Sequence, residues 1–429
     1  MKILISNILC LFFVILLFSC SGKVKEINTL KAVDIESNTD NMQIIYMSQF
    51  TDDIRYVPLE TNDEAAFSFI YEFFKAGDKI ITTDLNSLIL YDSNGRFILK
   101  FGNKGRGPDE YQFKSNLRIS NDNKIYFSSL YDLFEYDING RFEKKYSNTF
   151  LIKENYYISS WSLVEDSLFL GHVPNQTGQI EFKALLVNKY GNIKQSYKNY
   201  ILFNRVRPKE SGVDQESYFY RYNGELFYKD RNNDTLFALD NQYRLVPRYS
   251  FNLGKFKEPL SKRGESMLKR GMSNDRMNYM YLNSVYQTVD YLFISCSFGN
   301  RFPAKRLTPA QFPIPTINPV LYNTTNALGI YNKTTCELFF CKPTSTDNPL
   351  FTSGIYNDID AGPRFMPEAQ VNDSTMVMWV PANQLKDHVA SDDFNNGTAK
   401  YPEKKRKLKE LAARLTEYDN PVLMFVTFK

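Results

Sequence analysis

The chain predicts an all-β fold: a six-bladed β-propeller of four-stranded antiparallel blades, closed by its N- and C-terminal strands, with one or two short peripheral helices. Three observations carry this. First, a 23-residue phrase occurs twice without a gap: 79–101 reads KIITTDLNSLILYDSNGRFILKF, and 124–146, 45 residues later, reads KIYFSSLYDLFEYDINGRFEKKY, with 11 positions identical. Self-similarity at a period of about 40 to 50 residues marks repeats that bury their faces only against neighbouring copies. Second, each copy divides into three short β-branched and aromatic runs, with Asn94-Gly95 and Asn139-Gly140 between the second and third. Asn-Gly is the signature of a type I′ hairpin. Third, 54–59 and 422–428 are both strand-like, and a ring of blades closes when terminal strands pair in one blade.

The elements follow in order. Met1-Lys2 and the apolar run 3–18 end in Leu17-Phe18-Ser19-Cys20, a tetrapeptide that resembles the bacterial lipobox. The run is too short for a membrane span and fits a secretory signal. The resemblance implies cleavage before Cys20 and acylation there, making residues 1–20 a lipoprotein signal peptide. Residues 21–45 are polar and aperiodic and read as a flexible tether; no acidic run follows Cys20 to argue for outward display. The propeller is expected over 46–429. Its first two blades are the repeated phrases of three strands each, with a fourth strand supplied by 116–120 leading into the second copy. A third uses 166–170 and 184–188, a fourth 224–228, 235–239 and 248–253, a fifth 291–296, 328–331 and 337–341, and a sixth 369–371, 375–380 and the terminal strands. Helices are expected over 258–272 and from Pro402, where Leu408, Leu411, Ala412 and Leu415 form one apolar stripe.

Composition narrows function. The 52 basic and 48 acidic residues give a net charge of +4, or +3 without Lys2, too weak to imply nucleic acid. After Cys10 and Cys20, the remaining Cys296, Cys336 and Cys341 read as buried free thiols, with a bond from Cys296 to one of the others as the alternative. The two histidines, His172 and His388, lie in different expected blades and lack metal-ligand spacing. Neither a nucleophile elbow nor a phosphate loop is present.

Tyr56-Val57-Pro58-Leu59-Glu60-Thr61, the run 91–97, the glycine-rich link 102–111 and Asn420-Pro421-Val422-Leu423 resemble the six-bladed β-propeller lipoproteins of gut Bacteroidetes, and the two repeats resemble NHL repeats. The resemblance implies a propeller lipid-anchored in the bacterial envelope, at the outer membrane, and hands over no activity. On such a fold the links between blades and between middle strands gather around the channel mouth. That places Lys104, Arg106, Asp109, Glu110, Tyr111, Tyr131, Asp132 and Arg364 as candidate ligand contacts, with Arg106 the foremost for an anionic or planar group. Asp84, Asp358 and Asp360, beside Asn86 and Asn357, are candidate oxygen ligands of the type that suits calcium, the ion that lactonase-like propellers hold in their channel. The expected function is a non-catalytic envelope protein that binds a glycan, a peptide or a partner protein through its loop face. The alternative is a calcium-dependent propeller hydrolase or lyase using central carboxylates.

Overall fold

The computed structural model describes residues 30–84, 87–153, 156–205, 217–265, 278–298, 326–343 and 353–429. Six small antiparallel sheets follow one another. The first blade is Glu72–Ala76, Lys79–Thr83, Leu88–Asp92 and Phe97–Phe101, and the second is Ser115–Ile119, Lys124–Ser129, Asp132–Asp137 and Phe142–Tyr146. The third runs from Ser160–Glu165 through Leu168–His172 and Phe182–Asn188 to Ile193–Lys198. The fourth starts at Ser217–Tyr222 and ends at Leu245–Asn252; the fifth starts at Tyr281–Gln287 and ends at Leu338–Cys341. The sixth joins both ends of the chain: Ala369–Gln370, Thr375–Val380 and Val422–Thr427 pair in sequence, and Asp53–Pro58 completes the sheet, with Asp53 opposite Thr427 and Pro58 opposite Val422. The closure expected of 54–59 and 422–428 is therefore observed.

Why these runs make blades follows from their burial. Leu88, Ile89, Leu90 and Tyr91 are all essentially inaccessible, a continuous apolar run rather than an alternating one, because both faces of a middle strand are covered. Side chains alternate between faces: Ile80 and Ile89 join the apolar cluster shared with the sixth blade, whereas Ile81, Leu88 and Leu90 join the one shared with the second. Six such clusters, one between each pair of consecutive blades, form the core.

The hairpin turns correct one expectation. Only the glycines enter the left-handed region, Gly95 at φ +82° and Gly140 at +78°, while Asn94 and Asn139 do not, so the turns are not type I′. Instead Asp92 Oδ1 accepts the N–H groups of Asn94 and Arg96 at 2.8 and 2.9 Å, and Asp137 repeats this with Asn139 and Arg141. A shift in strand register follows each turn. This is an Asx turn leading into a glycine bulge. Asn188 and Asp240 build the same turn in the third and fourth blades.

The N-terminal segment is a second correction. Lys31–Asp34 and Met42–Gln43 lie parallel to the outer strands of the fourth and fifth blades, making each five-stranded. Val33, Ile35 and Met47 are fully buried, so the expected tether over 21–45 gives way to packed structure from Lys31 onward. Between the second and third strands of the sixth blade sit helices Ala382–Ala390, Asp392–Asn396 and Pro402–Arg414. The last has the expected first-turn proline and buries Leu408 and Ala412; the other two were not expected. Of the helix expected over 258–272, the turn Leu260–Arg263 is present, and 266–272 lies outside the described residues. Cys296, Cys336 and Cys341 are free, but Cys336 is exposed, not buried, in a turn at φ +62°.

Candidate functional site

Strands alternate in direction, so the links from outer to next inner strand, and those between middle strands, emerge on one face. Most of the residues nominated from sequence lie in those links, and the structure gives several of them a structural duty. Glu110 Oε2 accepts the Gly107 N–H at 2.7 Å, and its carboxylate fills the loop so tightly that a Cβ on Gly105 would lie 1.9 Å from it. Tyr111 is buried edge-on against Phe127 and Phe134, and burial raises its pKa to about 12. Lys104, Arg106 and Asp109 are exposed around this loop. Tyr131 packs on Tyr157 with ring centroids 5.4 Å apart, and Asp132 accepts the Asn148 N–H at 2.8 Å and pairs with Lys145 at 3.0 Å.

The oxygen-ligand candidates are not brought together. Asp84 accepts the Ser87 N–H, while its carbonyl takes the Lys114 ammonium at 2.7 Å; Asn86 lies outside the described residues. Both Asp358 oxygens are held by Ser48, at 2.9 and 2.5 Å. Asp360 is buried among Tyr56 Oη, Asn357 Nδ2 and the Gly362 N–H, and burial raises its pKa. Arg364 lies over the Tyr356 ring at 5.3 Å. Among the described residues no group of three or more His, Cys, Asp or Glu is placed to hold a metal ion. The nominated residues therefore do not fit a calcium site.

What does converge is the inner strand of each blade, around a central cavity of about 390 Å³, within the usual size range of small-molecule sites. Charged residues from several blades line it, among them Glu72, Arg118, Arg221 and Glu368. The Glu72 carboxylate accepts the Leu117 N–H at 3.1 Å; burial raises its pKa, and Arg118 is the strongest opposing influence. Arg118 donates from Nε to Ser162 Oγ at 3.2 Å and lies 5.3 Å from the centre of the Phe74 ring. Arg221 donates from NH2 to the Leu163 and Val164 carbonyls at 2.6 and 3.1 Å. The two guanidinium groups thus meet on consecutive residues of the third blade's inner strand, and burial lowers the pKa of both.

Glu368 reaches the same cavity from the sixth blade, its Oε2 accepting the Trp379 N–H at 2.8 Å. Its side chain is exposed to the channel, and desolvation by the protein around it raises its pKa to about 8. The Tyr218 hydroxyl is buried and meets no hydrogen-bond partner among the described residues. Sequence reasoning missed this set. Its signal was a charged residue in the apolar runs Glu72–Ala76, Ser115–Ile119 and Ser217–Tyr222, which becomes informative only once those strands are known to be innermost.

No functionally curated protein matches the sequence. Among solved structures, an inferred exported protein of Bacteroides fragilis aligns with TM-score 0.62 at 17% identity, covering 94% of this chain and 100% of that one. A DUF4221 family member from Bacteroides vulgatus aligns at 0.46 and 10% identity over 88% of this chain and 97% of that one. Virginiamycin B lyase from Staphylococcus aureus aligns at 0.37 and 10% over 78% and 83%. The first likeness shows the shared fold, and the other two are too distant to carry an argument. The family pattern described as a domain of unknown function, DUF4934, matches residues 30–427, nearly all of the described chain, and the protein belongs to that family.

Proposed function

We propose that this protein is a non-catalytic envelope lipoprotein whose propeller binds a glycan, a peptide or a partner protein through its loop face, with the recognised group entering the central channel. The observation that carries the reading is the convergence of Glu72, Arg118, Arg221 and Glu368 on one cavity of about 390 Å³. Perturbed titratable groups in a concave site are the expected signature of a binding or active site. The exposed Lys104, Arg106 and Asp109 would form the outer contacts on the loop face. Envelope location is supported by the Leu17-Phe18-Ser19-Cys20 signature and by the likeness in fold to a Bacteroides fragilis protein described as exported. Lipid at Cys20, outer-membrane placement and calcium-independence belong to the same reading.

Native mass spectrometry of the full chain extracted from membranes in mild detergent tests both halves. The expected spectrum shows an N-terminal acylated Cys20 and a co-purifying ligand that Ser162→Trp, which fills the channel, removes. A Cys20→Ala chain that still carries lipid, or a ligand retained in the folded Ser162→Trp protein, would refute the corresponding half.

A further inference from the structure

The channel lining carries more cations than carboxylates. Arg118 has a carboxylate neighbour in Glu72, the group that most strongly offsets its burial. Among the described residues Arg221 has no carboxylate within ion-pair reach; it donates to two carbonyls of the third blade. The charge of Arg221 bears on Arg118 and weakens its hold on its proton. Lys75 adds a further cation to the lining. Glu368 offsets these cations only in part, because the protein around it raises its pKa and disfavours the charged carboxylate. Two guanidinium groups, held by hydrogen bonds to Leu117, Ser162, Leu163 and Val164, line the cavity and keep N–H donors beyond those these bonds use. Arginine is matched in shape to oxyanions, which it grips through paired N–H···O bonds. An arginine with no carboxylate beside it is free to take an oxyanion as its counter-charge.

We propose that the group recognised in this channel is an oxyanion, a carboxylate or a phosphate, seated on Arg118 and Arg221, with an uncharged hydrogen-bonding part of the same ligand directed at Glu368. This rests on the channel being the binding site. It narrows the ligand to acidic small molecules or acidic ends of larger ones.

The chain holds two tryptophans, of which Trp161 is fully buried in the core and Trp379 lines the channel. Trp379 emission therefore reports occupancy. The full chain in mild detergent is titrated with D-glucuronate, D-glucose 6-phosphate, D-glucose and D-glucosamine, which share one ring and differ in charge, and with inorganic phosphate. The expected result is a saturable response to glucuronate, to the sugar phosphate, or to both, at least tenfold tighter than to glucose, weakened at least tenfold by Arg221→Ala and partly restored by Arg221→Lys. The preferred anion identifies carboxylate or phosphate as the natural group, and inorganic phosphate alone shows whether the ring contributes. Melting curves establish that each variant is folded. Equal or tighter binding of glucose or glucosamine would overturn the oxyanion assignment while leaving the channel as the site. Silence from every probe would overturn both. Undiminished glucuronate binding by folded Arg221→Ala would move the anion seat elsewhere.

Discussion

The first two blades and the fourth and fifth solve the same edge problem differently. The outer strands of the first two, Phe97–Phe101 and Phe142–Tyr146, are the last in their sheets and carry lysine at Lys100 and at Lys144 and Lys145. The outer strand of the fifth, Leu338-Phe-Phe-Cys341, carries no charge, and that of the fourth, Leu245–Asn252, has a single Arg248 engaged with Glu225. These two apolar edges are the ones that the N-terminal segment covers with parallel strands. An uncovered apolar edge invites pairing with another molecule, and lysine or a covering strand prevents it. Charge protects the regular blades, and a borrowed strand protects the irregular ones.

Three experiments press on this difference. The largest effect is expected at the borrowed strand. Ile35 is fully buried in the cluster between the fourth and fifth blades, so Ile35→Ala should destabilise the fold by about 2–5 kcal/mol in urea unfolding. A loss below about 1 kcal/mol would mean that the segment merely rests on the surface. Next comes a pair of glycines. A Cβ at Gly95 would lie 2.1 Å from the Pro58 carbonyl oxygen of the closing strand, whereas at Gly224, also at positive φ, it would meet nothing within 4 Å. Gly224→Ala should cost roughly 1–2 kcal/mol, the strain of the left-handed backbone alone. Gly95→Ala should cost about 2–5 kcal/mol, because overpacking is added to that strain. Equal losses would show that the regular blade tolerates its neighbour moving. The smallest effect on stability, within about 0.5 kcal/mol, is expected for Lys144→Val on the exposed edge of the second blade. There the readout is light scattering, which should reveal concentration-dependent association absent from the parent chain.

The same contrast explains what the sequence reveals. In the first two blades each local choice agrees with the fold: strand runs, Asp-x-Asn-Gly turns and inter-blade spacing all repeat, so strand positions and ring closure are legible. The turn type is not, because Asn-Gly suggests two left-handed residues, while Asp92 and Asp137, two positions earlier, capture the N–H groups and leave only the glycine left-handed. The borrowed strands of four and two residues are too short for any period to register. Helix Ala382–Ala390 did leave a trace, with Ala382, Leu385 and Val389 on one buried side, over scarcely two turns. At the site, residue type and loop position point to Tyr111, Glu110 and Asp360, three groups that the fold uses to pack and brace itself. Arg118, Arg221 and Glu368 gain their importance from facing one axis. That is a property of the assembled ring, with no counterpart in local spacing.

The clasp between 53–58 and 422–427 has a consequence for how the molecule comes into being. Pairing partners separated by nearly the whole chain carry a large loop-closure penalty and are late to form. During synthesis, five blades have all their own strands before the last is available, and the gap they leave exposes the apolar flanks of the first and fifth. Until residue 427 has cleared the machinery that makes or moves it, the nascent protein is an open arc that must be kept from its neighbours.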